Sequence, residues 1–101
     1  LATGDVTGDK RPEIAMVNKF RELVLVDGKA KPLWSVPLPF MPAKVGVAGK
    51  RIYVAGGRRG IVFDGAGKAV AEFRLPGNAD EIVTADDRVL IRCGKEVYTV
   101  K

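Results

Sequence analysis

Acidic side chains stand at every fourth position near the start of the sequence. Asp5, Asp9 and Glu13 form this series, each aspartate follows a glycine, and Thr7 lies between the two aspartates. Oxygen ligands on a tight loop can converge on a hard cation such as Ca²⁺. Aspartates in a turn also accept hydrogen bonds from backbone N–H groups. The spacing alone therefore fits either a metal-binding loop or a plain turn between strands.

Histidine is absent from the chain, which excludes several kinds of active site. Ser-His-Asp hydrolysis and histidine-containing zinc sites both need an imidazole. The single cysteine, Cys93, would have no imidazole as a base, and beside Gly94 it is expected to be a small buried apolar residue. The adjacent Asp86 and Asp87 stand between apolar runs, which favours a solvated hairpin over acid–base catalysis. We therefore expect that the chain is not an enzyme.

The chain is moderately basic, with 17 Lys and Arg against 12 Asp and Glu and a net charge of +5. Surfaces that bind nucleic acids combine clustered positive charge with exposed aromatic residues. Here the positive residues are scattered, and only GGRRG at 56–60 concentrates them. Two arginines in a glycine-rich turn are typical of a solvated hairpin tip, so a nucleic-acid partner is not expected.

Length and composition indicate one small globular domain. The 101 residues are too few for two independent cores, and 47% of them are apolar. No apolar run reaches the length of a membrane span or of a signal-peptide core. Glutamine is absent while Lys, Arg and Glu are abundant, a usage that resembles that of thermophile proteins. Because the sequence opens at LATGD without methionine, we expect a processed product or a piece of a longer chain.

A repeat of 37 residues runs through the sequence. Four separate stretches agree on this period, with apolar residues aligned on apolar ones and turn residues on turn residues. A period of this length is typical of proteins built from repeated structural units. The matched stretches are Asp-Gly at 27–28 and 64–65, Leu-Pro at 38–39 and 75–76, KVGVAGKRIYVAGG (44–57) with EIVTADDRVLIRCG (81–94), and GIVF (60–63) with VYTV (97–100).

Each unit predicts short antiparallel strands joined by tight turns. Apolar runs alternate with glycine-rich turns that suit hairpins, and no helical periodicity appears, so we expect an all-β chain. A phosphate-binding loop would need a helix after it, so these glycines are assigned to turns. Units 1–39 and 40–76 are predicted to hold four strands each, and unit 77–101 to lack its last strand.

The predicted strands are apolar almost throughout, as in ELVLV (22–26) and RIYVA (51–55). A sheet with one wet face would alternate, so both faces of these sheets are expected to be covered. Four-stranded antiparallel units packed on both faces are the blades of a β-propeller. A two-sheet sandwich is the alternative, but it does not explain the 37-residue period.

Two motifs resemble known propeller repeats. GDVTGDKRPEIAMV (4–17) resembles the start of an FG-GAP repeat, which builds propellers in integrin α chains and in many secreted bacterial and archaeal proteins. LVLVDGKAKPLWSV (23–36) resembles the quinoprotein-like (PQQ-type) repeat. VFDGAGKAVAEFRL (62–75) is a second copy of it, with Phe73 near the position of Trp34. Together with the repeat, these resemblances cover nearly the whole chain.

The FG-GAP resemblance implies a Ca²⁺ site in the first loop. The ligands that it implies are Asp5, Thr7, Asp9, the backbone carbonyl of Arg11, and Glu13. Thr7 stands where a carboxylate or amide is usual in that family, and Lys10 stands where a glycine is usual. Lys10 and Arg11 also place positive charge beside the ion. These departures favour a weak site or a loop that has lost the ion.

The resemblance implies a non-enzymatic binding or scaffolding propeller in an extracellular or cell-envelope protein. The alternative is a fragment of a quinoprotein-type oxidoreductase, in which Trp34 could stack on a quinone, although a tryptophan in PLWSV is more typical of packing between blades. Fewer than three blades are present, whereas closed propellers use about 4–8. We therefore expect either a piece of a longer propeller or a chain whose partner is another protein or further copies of itself.

Overall fold

The computed structural model describes residues 2–4, 12–18, 21–41, 44–85 and 88–100. Across these residues the chain is all-β, as predicted, and contains no helix. Consequently none of the described segments is a helix with the length and apolar character to cross a membrane. The strands are β1 (Ala2–Gly4), β2 (Glu13–Val17), β3 (Glu22–Val26), β4 (Pro32–Pro37), β5 (Lys44–Ala48), β6 (Arg51–Gly56), β7 (Arg59–Phe63), β8 (Ala69–Arg74), β9 (Glu81–Ala85), β10 (Arg88–Cys93) and β11 (Glu96–Val100).

The strands form three antiparallel sheets in chain order. Sheet 1 consists of β1 to β4, sheet 2 of β5 to β8, and sheet 3 of β9 to β11. Within each sheet, every strand pairs with its neighbours in sequence, as strands joined by tight hairpins do. The turn between β5 and β6 shows why: Gly49 and Lys50 have φ of 55° and 63°, the left-handed backbone that tight two-residue hairpins use. Among the described strands the sheets stay open, and no barrel or ring closes.

The strand registers repeat at the period that the sequence predicts. Lys44 pairs with Ala55 in sheet 2, and 37 residues further on Glu81 pairs with Arg92 in sheet 3. The β3–β4 and β7–β8 ladders also shift register at equivalent places. The repeat therefore holds at the level of single residue pairs.

Sheet 2 lies between the other two sheets. Its first strand, β5, contacts β1 and β2 on one side and β9 and β10 on the other. Glycine allows this close approach: a Cβ on Gly4 would lie 2.5 Å from Cγ1 of Val47, and one on Gly46 would lie 2.7 Å from Cγ2 of Ile82. For the middle sheet, the prediction that both faces are covered is confirmed.

Two apolar clusters fill the spaces between the sheets. Because side chains alternate along a strand, neighbours in sheet 2 belong to different clusters, such as Val54 to the first and Ala55 to the second. Cys93 is buried in the second cluster, which confirms its interpretation as a small apolar residue. The buried members are Ala15, Leu23, Leu25, Leu38, Ile52, Val54, Ile61 and Phe63 in the first cluster, and Ala55, Leu75, Ala79, Ile91 and Cys93 in the second.

The face of sheet 3 that points away from sheet 2 is partly exposed. In sheet 3, Ile82 and Tyr98 pack in the second cluster toward sheet 2, so the alternate residues point away from it. We call Val83, Leu90 and Val97 the outward face of sheet 3. Val83 is 44% exposed and Val97 62% exposed. Apolar side chains of this size on one face leave a surface that a further layer would cover.

Candidate functional site

Of the five predicted calcium ligands, the structure describes only Glu13. Asp5, Thr7, Asp9 and Arg11 lie outside the described residues. Glu13 is the first residue of β2, pairs with Gly4 and is 1% exposed, so its side chain is buried at the start of this strand. Calcium takes about six to eight oxygen ligands. Glu13 fits as one of them, and the described residues hold no group of three or more Cys, Asp or Glu side chains that would bind a metal ion.

The two Asp-Gly motifs form matching turns, after β3 and after β7. Oδ1 of Asp27 accepts hydrogen bonds from the backbone N–H groups two and four residues further on, both at 2.9 Å. Oδ1 of Asp64 accepts the equivalent pair at 2.9 and 3.0 Å. Each aspartate thus holds its turn closed through backbone groups, as Asx turns do.

These hydrogen bonds lower the pKa of both aspartates. The backbone N–H of Lys31, followed by that of Lys29, holds the pKa of Asp27 below its usual value. The backbone N–H of Lys68 does the same for Asp64, partly offset by the loss of hydration of the carboxylate. A carboxylate that is kept ionised by N–H donors is a structural acceptor, not a general base at neutral pH.

Trp34 joins sheet 1 to the turn of sheet 2. Its indole Nε1–H donates to the carbonyl oxygen of Gly65 at 2.9 Å. A Cβ on Gly67 would lie only 3.0 Å from Cδ2 of Trp34, so the ring packs directly on the turn. The interpretation of Trp34 as a packing residue is confirmed, because its N–H and its ring are both engaged in the contact between the sheets.

Phe73 lies near the position equivalent to Trp34, as predicted, but not at it. In the strand registers Trp34 pairs with Leu25, and 37 residues further on Ala71 pairs with Val62. Ala71 therefore occupies the equivalent position, and Phe73 lies two residues beyond it on the same face of the strand. Both ladders bulge at equivalent places, so the 37-residue period continues through them. The aromatic residue itself stands at a different position in the two repeats.

Phe73 makes the corresponding contact between sheets 2 and 3. It is paired with Gly60, and its ring lies over the space where a side chain at that position would stand. The ring stacks on Tyr98 of β11, with centroids 5.6 Å apart and an interplanar angle of 12°. An aromatic residue of the fourth strand thus touches the following sheet at both junctions.

The GGRRG stretch is a hairpin tip, as predicted. Gly57 has a φ of 57°, and Arg58 beside it is exposed. The tip is also anchored, because its carbonyl oxygens accept the N–H of Leu75 at 2.8 Å and that of Ala79 at 2.9 Å. Asp86 and Asp87, predicted to stand in a solvated hairpin, lie outside the described residues.

A groove of about 460 Å³ opens between sheets 2 and 3, and sequence reasoning did not find it. Three aromatic rings line it, those of Tyr53, Phe73 and Tyr98. The two tyrosines are 45 residues apart in the sequence. Only the stacking of the sheets brings them together, so no local pattern signals the groove.

Comparisons with known proteins leave the family of the chain open. No protein-family model matches the sequence, and a search of curated proteins found no match.

Proposed function

We propose that this chain forms consecutive blades of a β-propeller and serves as a non-enzymatic binding or structural scaffold. The observation that carries the proposal is the recurrence of one mode of contact between successive sheets. The first strands β1, β5 and β9 lie side by side, and an aromatic residue of the fourth strand touches the next sheet at both junctions. Propeller blades stack in this way around their axis.

The layer structure supports a propeller over a two-sheet sandwich. In a sandwich each sheet has one covered face, whereas sheet 2 has separate sheets on both faces. The likeness of residues 4–17 to FG-GAP repeats supports placement in an extracellular or cell-envelope protein. The partner would be another protein, or further blades supplied by copies of the same chain.

The proposal includes a weak Ca²⁺ site in the first loop. Its ligands would be Asp5, Thr7, Asp9, the carbonyl of Arg11, and Glu13. The buried position of Glu13 at the start of β2 supports this assignment. Bound calcium would fasten the loop to the first two strands.

The test is the solution mass and melting temperature of the 101-residue chain, with and without Ca²⁺. A discrete assembly of two or more copies supports blades completed between chains. If the chain aggregates and a longer polypeptide containing it does not, the result supports the interpretation that the chain is a piece of a larger propeller. A monomer that melts cooperatively would contradict the propeller. An absorption band from bound quinone would contradict the scaffold function and favour the quinoprotein-type oxidoreductase.

The calcium part has its own control. Ca²⁺ should raise the melting temperature of the unaltered chain and of Glu81→Gln, which removes an exposed carboxylate in β9. It should have no effect on Asp9→Asn. If Ca²⁺ changes none of the three, the loop is only a turn.

A further inference from the structure

Two arginines face each other across the last pair of strands in sheet 2. Arg59 of β7 and Arg74 of β8 are direct cross-strand partners, so their side chains leave the same face. Like charges placed directly opposite each other destabilise a sheet. The neighbouring Glu72 neutralises only part of this positive charge. Its Oε1 lies 3.9 Å from Nη2 of Arg59, and both side chains are about half exposed or more. Within the described part of the chain, Arg74 has no ion pair of its own.

A cavity of about 540 Å³ opens at this arginine pair. It is lined by Arg59, Gly60, Glu72, Phe73 and Arg74. Phe73 alternates with Glu72 and Arg74 along β8, so its ring lies on the other face of the strand, over Gly60. The guanidinium of Arg59 lies 5.5 Å from the centroid of the Phe40 ring, a cation–π contact that restricts where it points. Two guanidinium groups and one carboxylate leave the cavity with a net positive charge.

We propose that this cavity binds a carboxylate side chain of an acidic, extended segment of a protein partner. Guanidinium groups bind carboxylates through paired, charge-assisted hydrogen bonds. The inference rests on the proposed binding function and names the chemistry of the partner.

The strand beside the cavity favours a peptide over a free anion. Among the described strands β8 pairs only with β7, so its other edge presents backbone N–H and C=O groups. An extended peptide can pair with such an edge and place alternate side chains on one face. The net charge of +5 would draw an acidic segment toward this surface.

The experiment is a calorimetric titration of the full chain with a capped six-residue peptide of alternating threonine and glutamate. Arg74→Gln should weaken binding about five-fold, the upper range for an exposed ion pair. Glu72→Gln should strengthen binding, because it removes the competing carboxylate. Arg88→Gln removes the same charge from an exposed position in sheet 3 and should leave binding unchanged. Equal weakening by Arg74→Gln and Arg88→Gln would show an effect of net charge only and overturn the site.

Two further measurements separate the alternatives. If inorganic phosphate binds as tightly as the peptide, the cavity is a small-anion site and the proposal of a peptide partner is overturned. Arg74→Glu should raise the melting temperature, because it replaces the like-charge pair, while it abolishes peptide binding; a variant that still binds overturns the inference. The solution mass does not depend on this cavity. If the chain assembles as expected but does not bind the peptide, the peptide site is rejected and the proposed propeller is not affected.

Discussion

One residue in each Asp-Gly turn has a left-handed backbone, and the two turns fill that position differently. Ala30 has a φ of 65° after Asp27, and Gly67 has a φ of 88° after Asp64. An L-residue meets a steric penalty in this region, whereas glycine does not. The same turn is thus built once with strain and once without it.

Replacing the glycine should therefore cost stability. Gly67→Ala introduces the left-handed penalty and sets a Cβ 3.0 Å from the ring of Trp34, so we expect a loss of about 1 kcal/mol in the free energy of unfolding. Ala30→Gly is the matched change in the other turn. Because it relieves strain but adds freedom to the unfolded chain, it should change the free energy of unfolding by less than about 0.5 kcal/mol. Urea denaturation followed by circular dichroism measures both. Equal effects would contradict the role assigned to the contact with Trp34.

The lowered pKa of Asp27 and Asp64 makes stability depend on pH in the acid range. A carboxylate with a lower pKa in the folded state stabilises that state above its unfolded pKa, near 4, and this stabilisation is lost as pH falls through the folded pKa. The melting temperature should therefore fall on acidification from about pH 5 to pH 2. Asp64→Asn keeps a hydrogen-bond acceptor but cannot ionise, so its melting temperature should fall less steeply. A variant that follows the unaltered chain throughout would show that this turn does not contribute.

At the scale of strands and sheets, the fourth strand of each complete sheet supplies the contact with the next sheet. β4 supplies Trp34 and β8 supplies Phe73, from positions two residues apart in the repeat. Gly60 leaves room for the ring of Phe73 on its own sheet, so the second contact depends on a glycine and an aromatic residue together.

Shortening the aromatic side chain should loosen the first junction. Trp34→Phe removes the hydrogen bond to Gly65 and part of the ring surface, with an expected loss of about 1–2 kcal/mol in unfolding free energy. Leu33→Ala changes the neighbouring residue, which is 44% exposed, and should cost less than about 0.5 kcal/mol. Calorimetric melting of the two variants gives the comparison. A smaller effect from Trp34→Phe than from Leu33→Ala would contradict the junction.

The strands and their hairpins could be predicted from sequence because their signals are local. Glycine pairs and apolar runs at a constant 37-residue offset place β5 to β7 and β9 to β11 within a residue or two. The partner of each aromatic residue could not be predicted. Which of Ala71 and Phe73 corresponds to Trp34 depends on the register of a bulged ladder, and the arginine pair depends on which residues of β7 and β8 lie opposite each other. Which residues pair across strands depends on long-range contacts, and a single amino-acid sequence does not reveal them.

At the scale of the whole molecule, the outward face of sheet 3 is an apolar surface that is partly exposed. Val83 stands 37 residues after Gly46, which lies against Ile82 of sheet 3, yet Val83 is 44% exposed and Val97 62% exposed. Burying such side chains is favourable by roughly 25 cal/mol per Å² of apolar surface. A further layer on this face would therefore stabilise the molecule, whichever chain provides it.

Placing a charge on that face should block association between copies. Val97→Glu sets a carboxylate at a position that is 62% exposed, so the assembly should dissociate and the melting temperature should fall, because the stabilisation from association is lost. Ala66→Glu adds the same charge in the exposed turn after β7 and should leave the solution mass unchanged. Light scattering reports both masses. An assembly that survives Val97→Glu would show that copies do not meet through this face.

The contact of Trp34 with the turn of sheet 2 has a spectroscopic consequence. It is the only tryptophan in the chain, and it stands at the junction of sheets 1 and 2. Its fluorescence is therefore a built-in reporter of that one junction, while separation of sheet 3 from sheet 2 would alter the environments of Tyr53 and Tyr98 instead. Tryptophan and tyrosine emission, followed side by side during unfolding, would show in which order the sheets come apart.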